Sequence, residues 1–296
     1  MSARRALREP EKVALHAREV VFDWAGLPLR WIPGEPFASH VINVLHVLLP
    51  EGERWFVRIF TDALPLIKDE RLREEVIGFI GQEGMHANAH QGVLDHFDTH
   101  GLDTTGMVGE IEHVFRRLLG DRDELGDEEA EEWLVERLAL VAGIEHMTAF
   151  LGNWILNSPG LDEARADPRM LDLIRWHGAE EVEHRHVAYD LFDHLDGRYV
   201  RRVRAYLIAM AGITYLWARS ARYLVEHDTT LDDKHLPFVR SWVAAARKGI
   251  LPGVRGMVIP SLRYLKPTYH PRQEGSTSQA VAYLATSPAA RAADGR

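Results

Sequence analysis

Four long stretches of the chain repeat apolar residues at steps of three and four, the period of an α-helix with one buried face. The stripes read Ile42, His46, Leu49, Glu53, Phe56, Phe60, Leu64; then Val76, Phe79, Ile80, Glu83, His86, His90, Leu94. The third is Leu134, Leu138, Val141, Glu145, Thr148, Gly152, Ile155, and the fourth is Met170, Ile174, His177, Glu181, His184, Ala188, Leu191, Leu195. Breakers at Pro65, Gly101, Pro159 and Gly197 close them, which predicts helices over about 38–66, 70–100, 127–157 and 167–195, with Pro50 a kink or restart in the first. A shorter helix is expected over 107–120, and three more over 198–227, 235–250 and 253–266. Residues 1–37, broken by Pro28, Pro33, Gly34 and Pro36, read as an irregular arm, and the Ser, Thr, Ala and Pro of 267–296 as a flexible tail. With no alternating strand run, internal repeat, phosphate loop or nucleophile elbow, the expected class is all-α.

Short links join the first helix to the second and the third to the fourth, while about 26 residues separate the second from the third. That is up-down pairing with one long crossover, the connectivity of a ferritin-like four-helix bundle over 38–197. The 198–266 helices would pack on it.

Acidic and histidine residues inside the stripes occupy positions that should face the core. Buried carboxylates without compensation cost several kcal/mol each, so they must be protonated, paired or bound to metal. Antiparallel neighbours must also bring the ligands of one site to one level. Glu53 lies 13 residues before the expected end of its helix and Glu83 13 after the start of the next; for Glu145 and Glu181 the counts are 12 and 14. At about 1.5 Å per residue the levels agree to roughly 3 Å. One Glu from each of two helices and a Glu-x-x-His from each of the other two form the ligand pattern of di-metal carboxylate proteins. Glu53, Glu83, His86, Glu145, Glu181 and His184 are therefore the expected metal ligands, with His177, inward on the same stripe as Glu181, a further candidate. His90, Thr148 and Asp190 are candidates for groups that orient them; Thr148 could instead bond its own helix, and Asp190 an Arg. His46 reads as a core histidine. A second frame, Glu183-x-x-His186, shares its stripe with Glu180 and Asp190, so Glu180 and Glu183 are placed outside the ligand set.

Composition narrows the chemistry. The chain has no cysteine, which excludes disulfides, thiolate nucleophiles, zinc-thiolate sites and iron–sulfur clusters and leaves O and N ligands only. Its formal charge of −9 argues against a nucleic-acid surface. The charge is segregated: residues 198–266 hold 13 Lys/Arg against 4 Asp/Glu. Covering the acidic bundle accounts for that, and peripheral contact with anionic lipid is the alternative. Arg4, Arg5 and Arg8 are followed by no apolar region of a secretory signal, and the longest apolar run, Ala205 to Ala218, is short of a membrane span, so cytoplasmic residence is the default expectation.

The motifs Phe79-Ile-Gly-Gln-Glu-Gly-Met-His86 with His90, and Trp176-His-Gly-Ala-Glu-Glu-Val-Glu-His184 with Tyr189 and Asp190, resemble a bacterial family of predicted metal-dependent hydrolases over about residues 30–265. His177, four residues before Glu181, also makes the pattern similar to the arylamine N-oxygenases, di-iron enzymes in which an extra histidine is a ligand. That resemblance implies oxygen chemistry. Where the ribonucleotide reductase small subunit carries its radical tyrosine, four residues after the first motif's His, this chain has His90, which excludes a stable tyrosyl radical there.

The expected function is that of a di-iron, O₂-activating oxidase or oxygenase acting on a small organic substrate with electrons from a donor; Mn or Zn would also suit the ligands. The alternative is two-metal hydrolysis, which the resembling family's description implies. Iron storage is disfavoured, because the extra C-terminal helices would obstruct cage packing.

Overall fold

A computed structural model describes residues 13–232, 234 and 237–295; Arg4, Arg5 and Arg8 of the basic N-terminus, and the first two residues of the expected 235–250 helix, lie outside them. The described residues form helices and connections, with no β-strand among them.

The first helix, α1 (Pro36–Ala63), continues through Pro50. Proline cannot donate to the carbonyl one turn back, yet the helical phase survives, and His46, Glu53 and Phe56 stay buried on one side. Helix α2 (Glu70–Thr99) starts at Asp69, whose carboxylate accepts from Leu72 N, and folds back along α1. The crossover carries α3 (Thr105–His113), continued by a wider π turn over Val114–Leu118, and packs on α1. Helix α4 (Asp127–Leu156) follows, opening on three acidic residues suited to the positive end of the helix dipole. After the short α5 (Pro159–Glu163) comes α6 (Pro168–His184), then α7 (Val187–Leu195). Neighbours in space run α1, α2, α6 with α7, α4 and back to α1, an arrangement consistent with the ferritin-like connectivity.

The expected single helix over 167–195 is thus two. The guanidinium of Arg185 donates to the carbonyl of Val182, the acceptor that a continuing helix would need, and also reaches Pro271 O and Thr277. The backbone breaks there and resumes at Val187.

Outside the bundle, α8 (Tyr199–His227) lies against α4 and α1, α9 (Phe238–Arg247) against α1, and α10 (Val254–Tyr264) against α4. The 267–296 segment departs from the expected flexible tail: α11 (Thr277–Leu284) and α12 (Pro288–Asp294) pack on α6. Ser276 and Ser287 cap them, and Ala280, Leu284 and Ala290 are buried, so small residues that look featureless in sequence are what allow close docking.

Residues 13–35 have no helix but are held in place. At Gly78 the arm crosses α2 so closely that a Cβ would stand 2.6 Å from Leu15 Cβ and 2.7 Å from Leu15 O. Only glycine leaves that space. Three residues beyond Leu15, Arg18 enters the protein interior.

Candidate metal centre

The four long-helix segments bring Glu53 (α1), Glu83 and His86 (α2), Glu145 (α4), and His177, Glu181 and His184 (α6) to one level in the core, all buried. Their donor atoms form three overlapping groups. Glu83, Glu145, Glu181 and His184 can each present an atom within 4.8 Å of the others; so can Glu53, Glu83 and His86, and so can His86, His177 and Glu181. Glu83 and Glu181 take part on both sides, as two carboxylates bridging neighbouring ions would. His177 stands with His86. Its ring stacks on His86 at 4.0 Å and its Nε2 lies 2.8 Å from Glu181 Oε1 and 3.6 Å from Glu53 Oε1, which places it with the α1–α2 ligands and not beside His184.

Whether a metal fits is decided by what the buried polar atoms lack. Both oxygens of Glu53 and of Glu83, one oxygen each of Glu145 and Glu181, Nδ1 of His86 and Nε2 of His184 have no hydrogen-bond partner among the described residues. Native interiors leave only a few such atoms per hundred residues, spread through the fold. Here they converge. The far sides of the two motif histidines, by contrast, are engaged: His86 Nε2 is 2.9 Å from Glu180 Oε2, and His184 Nδ1 is 3.1 Å from Gln82 Oε1. One ring nitrogen fixed by an outer partner and the other aimed inward is the usual state of a metal-binding imidazole. The residues fit a pair of divalent ions.

Two groups in this frame were not anticipated from sequence. Arg18 donates to Glu180 at 2.5 Å and Glu183 at 3.1 Å, and Gln82 Nε2 donates to Glu183 at 3.2 Å. One guanidinium from the arm therefore braces His86 through Glu180, and His184 through Glu183 and Gln82. Glu180 and Glu183 are outside the ligand groups but hold them. The available clue was that two further buried acids require a cation; nothing local in the arm marks Arg18 as that cation.

The remaining candidates separate clearly. His90 Nε2 is 2.6 Å from His177 Nδ1, and its own Nδ1 is 2.7 Å from His46 Nδ1, a file of three imidazoles; His90 can also present an atom within 4.8 Å of Glu53 and His177. Thr148 Oγ1 donates both to Glu145 O at 3.1 Å, as a helical Thr commonly does, and to Glu145 Oε1 at 3.3 Å. Asp190 does not reach a centre histidine. It accepts from His270 at 2.8 Å and from Arg272 at 3.3 Å, and it lies off the inward stripe that Ala188 and Leu191 continue into α7. His186 goes with it, 3.4 Å from Glu75.

Without metal the centre must hold protons. Burial, then the neighbouring carboxylates, push Glu53 and Glu83 well above the usual carboxylate range, and burial raises Glu145 to about 7. Burial opposes ionisation of Glu181 too, but His184 and His177 outweigh it and hold that carboxyl low. Burial likewise opposes the His184 imidazolium, yet Glu181 and Glu145 raise it to about 10. These protons are bound in the folded chain and released at neutral pH by the unfolded one. The stability they contribute is complete below the unfolded values, near pH 6.5 for His184, and is lost as pH rises through about 7 for Glu145 and about 10 for His184. Buried neutral His46, His86 and His90 have the opposite slope, confined below about pH 6.5. Chelator-treated protein is therefore expected to lose on the order of 5 °C in Tm between about pH 6.5 and 8.5. Metal-loaded protein should show little slope, since the ions replace the protons. A rising Tm for the metal-free form across this window would contradict the protonated centre.

The family model for predicted metal-dependent hydrolases matches residues 16–275, a span that takes in Arg18 and every centre residue and ends before α11. No curated protein and no solved structure matches the chain.

Proposed function

The chain belongs to the family of predicted metal-dependent hydrolases, and from that membership and the centre's geometry we propose that it is a di-metal enzyme, with iron the preferred metal, that activates O₂ to act on an apolar small molecule. Glu53, Glu83, His86 and His177 would hold one ion and Glu145, Glu181 and His184 the other, with Glu83 and Glu181 shared. The observation that carries this reading is the cavity. It has a volume of about 540 Å³, and Glu53, Glu83, Glu145, His177 and Glu181 form one wall of it. The rest is almost wholly apolar, including Leu48, Phe56, Phe115, Ile144 and Trp217.

Two irons would supply one-electron redox steps and O₂ reduction, with electrons from an external donor. The chain's own residues would do the rest. The carboxylates set the charge of the pair, and Glu180 and Gln82 fix the faces of His86 and His184 that point inward. The apolar walls exclude water from a reactive site and select an uncharged substrate. Thr148 touches Glu145 at the cavity side and can hand a proton to, or orient, a molecule bound there.

Two-metal hydrolysis is the second reading, favoured by the family's description. It needs a polar scissile group to be recognised. Among the described residues the cavity provides no cationic side chain and few polar groups beyond the centre itself.

Metal analysis of protein purified without added metal, followed by optical spectroscopy as O₂ meets the reduced form, tests the two. Two irons per chain and a transient visible band are expected. Two redox-silent ions, with ester or amide turnover, would overturn the oxygenase reading in favour of hydrolysis.

A further inference from the structure

The basic residues of α8, α9 and α10 fall into two sets. Arg201 and Arg198 pair with Glu132, Arg204 with Glu136, Arg219 with Glu110, Arg263 with Glu274 and Lys248 with Glu35, and Arg202 donates to Tyr189 and to Lys266 O, so these seven tie the helices to the rest of the molecule. Arg222, Arg240, Arg247 and Arg255 are exposed and have no carboxylate partner among the described residues. Covering an acidic bundle explains the first set and leaves the second without a role.

The same helices carry most of the large apolar side chains that the surface leaves in water. On α8 they are Leu207, Ile208 and Tyr215, the last 64% exposed; on α9, Val239 at 76%; on α10, Val254, Val258 and Leu262, a stripe at every fourth residue. Helix α10 buries only Pro260 and Tyr264 of its 11 residues. Such clustering on a soluble surface marks an interaction site. The cluster is also continuous with the cavity, because Thr214, Val239 and Val254 are exposed and line it at the same time. Arg240 and Arg255 each directly follow one of these mouth valines.

We propose that the outer face of α8, α9 and α10 docks on an anionic lipid bilayer, with its apolar side chains at the acyl boundary, its unpaired arginines at headgroup level and the cavity mouth facing the lipid. Among the described residues no helix is long and apolar enough to cross a membrane, so contact would be in the plane of the interface, as for other cationic amphipathic helices. Charge complementarity selects the lipid over a second copy of the chain. A two-fold self-interface would bring this basic face against itself, and its three helices carry only one acid, Glu226, to meet the four arginines, whereas an anionic leaflet neutralises them. The docking surface goes beyond the metal reading and does not depend on it. Where both hold, the substrate would be a lipid-soluble molecule that enters from the bilayer.

Full-length protein mixed with phosphatidylcholine vesicles, with and without one third phosphatidylglycerol, and separated by flotation tests this directly. Binding is expected only with the anionic lipid and should fall steeply with salt. Arg240→Gln with Arg255→Gln, and separately Val258→Asp with Leu262→Asp, should each weaken it on the order of tenfold or more. Metal content and circular dichroism should not change in these variants, because the altered side chains are exposed. Absence of binding to anionic vesicles at low salt would overturn the proposal. So would a dimer in solution that the Val258→Asp, Leu262→Asp variant dissolves, which would assign the face to a second copy.

Discussion

Glu181→Ala is expected to strip the protein of both metals, whereas Glu53→Ala and Glu145→Ala should each weaken mainly one. Glu181 is the carboxylate that stands in the group with Glu83, Glu145 and His184 and also in the group with His86 and His177. Its Oε1 lies toward His177 and His86, and its Oε2 toward His184. Removing it would take one carboxylate oxygen from each ligand group and leave less negative charge between two like-charged ions held there. Affinity should fall further than the roughly 10–100-fold that follows loss of an outer partner. Helix content should persist, because the apolar stripes that pack α1, α2, α4 and α6 are intact. His186→Ala provides the contrast. Its ring faces Glu75, away from the centre, and two metals should remain. Elemental analysis per chain, with far-ultraviolet circular dichroism, gives the answer. Two metals bound to Glu181→Ala would remove the shared-carboxylate arrangement.

Gly152→Val is expected to be strongly destabilising. A Cβ at 152 would stand 2.5 Å from Gly178 O and 2.9 Å from Gly178 Cα, and both are backbone atoms that cannot swing aside. The constraint is mutual, since a Cβ at Gly178 would meet Gly152 Cα at 2.9 Å and Ile155 Cγ2 at 2.7 Å. Helices α4 and α6 touch there with no side chain between them. The contact lies three residues before Glu181 and seven after Glu145, so separating the helices also spreads the carboxylates. Overpacking of this kind costs about 3 kcal/mol or more, equivalent to roughly 6–12 °C in Tm for a chain of this size. Metal affinity should fall with it. Gly84→Ala shows the opposite case. Nothing lies within 4 Å of its would-be Cβ, and replacing a helical glycine should stabilise by about 0.5–1 kcal/mol. Thermal unfolding of the three proteins side by side checks both signs. An unchanged Tm for Gly152→Val would mean that the two helices can move apart freely.

What the sequence determined by itself is whatever repeats along one helix. Steps of three and four set the phase of each stripe, so the inward side of Glu53, Glu83, His86, Glu145, Glu181 and His184 could be read without neighbours, and equal depth from the helix ends aligned them. Glu181 was separable from Glu183 for the same reason: a shift of two positions rotates a side chain by more than half a turn of the helix. Tertiary structure decided everything that depends on which distant atom arrives. His177 shares its stripe with His184, but α2 places His86 against its ring and draws it to the other side of the centre. Asp190 lies off the inward stripe that Ala188 and Leu191 continue, and its partner His270 arrives from the C-terminal segment, 80 residues on in the chain. Arg18 sits in a segment with no period at all. Its position depends on a glycine at 78 that lets the arm lie on α2, and on two buried acids 162 and 165 residues away in the chain. Periodicity reports which way a residue faces; the partner it meets there is a property of the closed fold.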